Sequence, residues 1–428
     1  MNTFDRQKIA DGVYFNTVHD ERFKTVRITV NAYVPLEKET AAQNALLSQV
    51  LTRSCNKYRT MTDLSRRLGY LYGASLYGGV SKVGDCQSIT VSACAIDDRY
   101  TAGGEIISSE ISSLICDVLF DPYVENGSFV QSEIEQERRQ LYEMIDAEFN
   151  DKQVYARERM NRIMCGDEPC GLPRYGSRKD IERTDGKALF EAWKKLLQSA
   201  RFEIMYVGCA DSDSARRIFA QAFGKRQRSP VEISHRVVSD VAAVKNVTES
   251  MALSQSKIVM GFRTAVAEGT ADTTAMRLAC TILGGTASSK LFNNVREKLS
   301  LCYYCSSRYQ RIKGIMLVQS GVESENIEKT KKAILNELED MKKGNISDFE
   351  FNAAKLAVCD SFRGMTDTVE GLEGWYTSQL FYGNINSTAE EIKRFESVTK
   401  RDVIDAVQHV CLDTVFVLEG NGGKSNAD

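Results

Sequence analysis

Histidine is nearly missing from this sequence. Only His19, His235 and His409 occur in 428 residues, and none has a second histidine at a helical ligand spacing. That excludes a helix-borne pair of imidazoles holding a metal on this chain. A basic excess is missing too. The 55 Lys and Arg stand against 58 Asp and Glu, a formal charge of -3, so nucleic acid is not an expected partner. No apolar run approaches the roughly 18 residues a membrane span needs, and no membrane association is expected. The opening MNTFDRQKIADG lacks the basic and apolar parts of a signal peptide, which makes the cytoplasm the expected compartment.

What is present is an ordinary soluble composition, 43% hydrophobic and 26% charged. The length favours two or three domains. Twelve cysteines at irregular spacing read as reduced thiols, many of them in the core.

The order of elements repeats. In the first half, Thr40-Ala41-Ala42-Gln43 has the form of a capping box, predicting a helix from Thr40 to about Arg53. A second helix follows around Thr62–Leu68. The runs Leu71–Val80 and Gln87–Ile96, joined by Gly84-Asp85, read as a hairpin. A helix then carries Ile107, Ile111, Leu114 and Val118 on one face.

In the second half, the strand SKIVMGFRTAV precedes a helix around Thr273–Leu283. A helix over Ser288–Leu299 leads into the strand Leu301–Tyr309; the strand Ile315–Val322 follows, then a helix bearing Ile327, Ile334, Leu338 and Met341. Leu71 and Leu301 share one offset with Gly84 and Gly314, 230 residues (301 − 71, 314 − 84). Each half closes with a helix feeding a strand that stops on glycine, at Gly208 and at Gly420. A fixed order at a fixed offset marks a duplicated domain. The expected fold class is α+β: two tandem homologous domains, 1–224 and 241–428, each a mixed sheet with helices packed on it, joined by a linker over 225–240 that contains Pro230.

Two motifs carry a resemblance: GGTASSKLFNNVREKLSLCYY at 284–304, and LPRYGSRKDIERTD at 172–185 before the last helix of the first half. With the duplication, they make the chain similar over nearly its whole length to the pitrilysin or insulinase-like zinc peptidases, the inverzincins, and especially to their catalytically inactive bacterial members. The resemblance implies a processing-peptidase-like fold in each half.

Active members carry H-x-x-E-H on the first long helix, two zinc ligands four apart with a general base between them. The resemblance places Ala45-Leu46-Leu47-Ser48-Gln49 over that motif. Ala45 and Gln49 then stand for the histidines and Ser48 for the base, while the third ligand, a downstream glutamate, falls near Met144, beside Glu143. No zinc is expected on this chain, and the segment is expected to be only a core helix.

The resemblance also implies a role for the second half. Family members bind substrate near the zinc with an arginine and a tyrosine seven apart, matched here by Arg296 and Tyr303, with Gly284 and Gly285 allowing a tight turn and Ser288 or Ser289 capping the helix. Leu291, Val295 and Leu299 are expected to face the core. In two-domain members the zinc and the arginine–tyrosine pair lie in different chains. The expected partner is therefore a homologous subunit carrying H-x-x-E-H and the zinc, and the substrate a peptide or unfolded segment. The same spacing also fits a surface ion pair at Arg296 and a cross-strand position at Tyr303. A purely structural or interaction subunit is the competing reading, and a self-sufficient peptidase with unusual ligands a third.

Other signals are weaker. Cys302 and Cys305, an odd number apart on a strand, are expected on opposite faces, which favours neither a shared metal nor a redox role. Cys165 and Cys170 have no second cysteine pair to complete a zinc cluster. The helix Glu325–Lys343 reads as a solvated face. The tail Gly422-Gly423-Lys424-Ser425 lacks the earlier glycine of a phosphate loop, since Leu418 stands there.

Overall fold

The computed structural model describes residues 3–269, 271–382 and 385–421; the tail Gly422–Ser425 lies outside them. The chain divides into two compact units, one formed by Met1–Asp146, Leu172–Ser234 and Thr366–Ile385, the other by Ala147–Gly171, His235–Met365 and Asn386–Asp428.

Six strands build the sheet of the first unit: β1 (Thr3–Ala10), β2 (Val13–His19), β3 (Thr25–Pro35), β4 (Ser75–Val83), β5 (Cys86–Ile96) and β6 (Arg201–Gly208). Their order is β1-β2-β6-β3-β5-β4, antiparallel except where β2 runs parallel to β6. Five strands build the sheet of the second: β7 (Lys245–Met251), β8 (Ser256–Arg263), β9 (Cys302–Gln310), β10 (Ile315–Val322) and β11 (Cys411–Gly420). Their order, β7-β11-β8-β10-β9, repeats β2-β6-β3-β5-β4 strand for strand, including the one parallel pair, β7 with β11. The duplication in the sequence is thus a duplication of topology. Gly84 and Gly314 both sit in the turn before the matching strands β5 and β10, at φ 57° and 61°, where a side chain would be strained.

Apolar periodicity explains the layers. In the first unit Ile107, Ile111, Leu114, Ile115 and Val118 line one face of the helix Ile107–Phe120 and join a core with Leu46, Leu47, Leu189, Leu196, Phe202 and Phe219. Full burial of each such side chain contributes about 1.5–3 kcal/mol. In the second unit Ala156, Met160 and Met164, four apart on the helix Lys152–Met164, pack with Val259, Leu317 and Phe416. The absence of a Cβ at Gly261 makes room: one there would lie 2.5 Å from the Met164 sulfur and 2.8 Å from that of Met160. This helix precedes the 225–240 segment yet packs on β8 and β11, while Val369–Thr377, which follows it, packs on β3 and β6. Each unit is therefore discontinuous in sequence.

Two local expectations are corrected. The first helix runs Ala41–Val50, and Thr40 makes no side-chain cap: it is itself helical in φ/ψ, and Ala41 N donates to Glu37 O in a preceding turn. The segment 288–299 is not an α-helix; it enters a π-helix, Leu291–Lys298, with Leu299 N donating to Asn294 O at 3.0 Å. No helix among the described residues is long and apolar enough to cross a membrane.

Candidate functional site

The helix Ala41–Val50 occupies the place where the resemblance puts a metal. Ala45 and Ser48 are fully buried, and Leu46 and Leu47 pack in the core. Ser48 Oγ donates to Ala45 O at 2.7 Å, closing on its own helix. Gln49 Nε2 donates to Gly78 O at 3.1 Å, tying the helix to β4. Asn44 Nδ2 donates to Gln87 Oε1 at 2.9 Å, and Gln87 Nε2 donates to Ala41 O and Arg174 O. Met144, half-buried on the helix Gln131–Asn150, packs against the same core, with Glu143 exposed beside it. A methyl, a hydroxyl turned onto its own backbone and a neutral amide held by a strand do not fit zinc, which takes thiolate, imidazole or carboxylate.

The motif at 172–185 serves this helix. Gly176, at φ 69°, lies so close that a Cβ would meet Ala42 N at 2.7 Å, and Ser177 and Asp185 cap the two helices that follow by accepting from Asp180 N and Ala188 N. Gly78 was not legible as special: a Cβ there would lie 1.9 Å from Ser48 O. A glycine inside a strand that approaches a helix this closely is the one signal that would have found it.

The second group lies on 284–304. Gly284 ends the helix Thr274–Gly284, and a Cβ on it would meet Ser307 N at 2.7 Å and Leu291 at 2.8 Å. Gly285 follows as the cap, with ordinary helical φ/ψ, and is packed on Thr281. Ser289 Oγ accepts from Phe292 N at 3.4 Å. Leu291 and Val295 are buried as expected, but Leu299 is 54% exposed, because the helix has ended and it caps the π-turn.

Arg296 stacks over the Phe292 ring, 4.5 Å to the centroid, and lies 3.7 Å from the Glu297 carboxylate, its side chain 39% exposed. Tyr303, 54% exposed, donates from Oη to Glu323 Oε1 at 2.6 Å. That hydrogen bond raises the phenol above its usual range and keeps it a neutral donor. Each side chain has its own partner, and both remain reachable from solvent. The backbone joining them departs from regular geometry three times: the π-helix, Ser300 at φ 50°, and a register shift between Cys302 and Tyr304.

Among the described residues one group of side chains has metal-ligand chemistry at close range. Cys165, Glu168 and Cys170, all buried, hold their ligand atoms within 4.8 Å of one another. Glu168 was not expected there. It is already paired: Arg263 Nη2 lies 2.6 Å and Lys313 Nζ 2.9 Å from its carboxylate, and Arg263 Nε donates to Asp413 at 2.9 Å. Burial pushes the Glu168 carboxyl up, but the hydrogen bonds from Arg263 and Lys313 outweigh it and hold it low. A dication would sit beside two fixed cations. The cluster is a buried ion-pair network fixing the end of Lys152–Met164 to the second sheet.

The family profile described as "Peptidase M16 inactive domain" matches residues 185–358. The chain is 28% identical to the "Probable inactive metalloprotease YmfF" of Bacillus subtilis (strain 168) over 414 residues, 97% of each chain. It superposes on the crystal structure of a conserved protein from Enterococcus faecalis V583 with a TM-score of 0.90 at 26% identity, covering 99% of this chain and 100% of the other. The crystal structure of a peptidase M16 inactive domain from Pseudomonas fluorescens shares the fold at a TM-score of 0.79 and 15% identity, covering 98% of both chains. Over nearly its whole length the chain is thus a homologue of a probable inactive metalloprotease, and residues 185–358 are similar to the inactive domain of the M16 peptidases.

Proposed function

We propose that this chain is the non-zinc-binding subunit of a two-chain zinc peptidase, in which Arg296 and Tyr303 bind the substrate peptide beside a partner's zinc. The observation that carries the reading is the contrast between two places. Positions 45, 48 and 49 have been absorbed into a core helix. The segment from Arg296 to Tyr303 instead keeps a π-helix, a left-handed serine and a register shift, with both side chains accessible. Irregular backbone of this kind concentrates at functional sites and costs about 1–3 kcal/mol per strained residue.

The chemistry follows from the side chains. A guanidinium is a fixed cation and a neutral phenol a donor, both suited to a peptide carbonyl on which charge develops during hydrolysis. The partner is a homologous subunit carrying H-x-x-E-H, and the substrate a peptide or unfolded segment whose backbone is read more than its sequence. We place the complex in the cytoplasm, in keeping with the free thiols of the chain.

A second reading is favoured by one observation: Tyr303 is already bonded to Glu323 and Arg296 already stacked on Phe292, as in a purely structural subunit. Mixing the purified chain with an H-x-x-E-H companion separates the two. The proposal expects one co-eluting species with peptidase activity well above that of the companion alone. Stable association without any change in activity favours the structural reading.

A further inference from the structure

Strand parity alone puts Cys302 and Cys305 on opposite faces, and the structure overturns this. Cys302 pairs with Val322 and Cys305 with Ser320, because Tyr303 is an extra residue opposite Val322 and the register resumes with Tyr304 against Gly321. Val322 and Ser320 are two apart on β10 and face the same way. The two cysteines therefore share a face. The rise of two residues on the antiparallel partner strand puts their Cα atoms about 6.8 Å apart, at the upper end of the span a disulfide bridges. The Cys305 thiol donates to the Cys302 sulfur, the burial of Cys302 works against this, and Ser320 and the Arg296 charge add to it; together they bring the Cys302 thiol down to about 7. Cys305 is buried, Cys302 half-buried, and both are free thiols.

We infer that Cys302 and Cys305 form a thiol–disulfide exchange site that takes low-molecular-weight disulfides such as oxidised glutathione and closes into a reversible intrachain disulfide. The Cys302 thiolate attacks one sulfur of the small disulfide, forming a mixed disulfide and releasing one small thiolate. The hydrogen bond to the Cys302 thiolate and burial hold the Cys305 thiol well up; once Cys302 is capped the first of these is gone, and the Cys305 sulfur attacks Cys302 and expels the second small thiolate, which takes up the Cys305 proton. Two protein thiols are oxidised and one small disulfide is reduced to two thiols. A bridge at the limit of its span is readily reduced again, the property of regulatory rather than structural disulfides. This inference goes beyond the peptidase reading and does not rest on it.

The test uses the folded chain equilibrated in buffers of increasing oxidised-to-reduced glutathione ratio, then unfolded, alkylated and digested with trypsin. Cleavage after Lys298 and Arg308 leaves both cysteines in one peptide, LSLCYYCSSR. The expected product is that peptide two hydrogens lighter and free of alkyl groups, formed at a rate half-maximal near pH 7, against about 8.5 for an ordinary thiol. In Cys305→Ser the reaction is expected to stop at a glutathione adduct on Cys302. A doubly alkylated peptide at every ratio, or no adduct on Cys302 in Cys305→Ser, would overturn the inference.

Discussion

The carbonyl oxygen of Ser48 and the α-carbon of Gly78 meet so closely that a Cβ on the glycine would lie 1.9 Å from that oxygen. Helix and strand are locked together at the place where the resemblance puts the metal motif. Gly78→Ala is expected to force them apart at a cost of about 1–3 kcal/mol, read as a lower urea midpoint with an unchanged slope.

The side chains at 45, 48 and 49 bear on metal content. Dialysis of the isolated chain against a chelator is expected to leave its Tm unchanged, since no imidazole or free carboxylate stands on that helix face. Stoichiometric zinc by elemental analysis, with a Tm lowered by chelation, would revive the self-sufficient peptidase.

Glu168 offers a stability test that varies with pH. Removing it leaves Arg263 to Asp413 alone and takes a carboxylate from Lys313, both cations buried to 2% side-chain exposure, and is expected to cost about 3–5 kcal/mol. Because the folded carboxyl titrates below its ordinary value, its contribution is fully present above about pH 4.5 and is lost as pH falls through the lower folded value. Chemical denaturation at a series of acid pH values should show the wild-type chain losing more stability than Glu168→Gln.

Much of the fold could be read before the structure. The offset shared by Gly84 and Gly314 became two matching turns, and the strand Ile315–Val322 has the predicted bounds. Local signals of this kind depend on a single turn or a single face. What escaped depends on partners distant in sequence. The extra residue at Tyr303 exists only relative to β10, so the cysteine faces followed from parity and came out wrong. The π-helix answers to packing of Leu291 and Val295 under a backbone that must then reach β9, which spacing alone does not encode. Glu168 joins Cys165 and Cys170 through a folded turn and is held by residues from β8 and the loop before β10. Glycine at 78 looked like any other.

Ser300 carries the one left-handed non-glycine conformation between Arg296 and Tyr303. Ser300→Gly removes the clash of its Cβ, an effect of about 1–2 kcal/mol, partly offset by the freer unfolded chain. A modest rise in Tm is expected, checked by calorimetry.

The central claim is that grip on the scissile peptide persists at Arg296 and Tyr303 on a chain whose own metal positions are filled. The most direct measurement is kcat/KM of the assembled two-chain peptidase with this subunit carrying Arg296→Ala. Loss of a charge-stabilising donor predicts a fall of about a hundred- to a thousandfold with assembly intact. An unchanged kcat/KM in a fully assembled complex would contradict the claim.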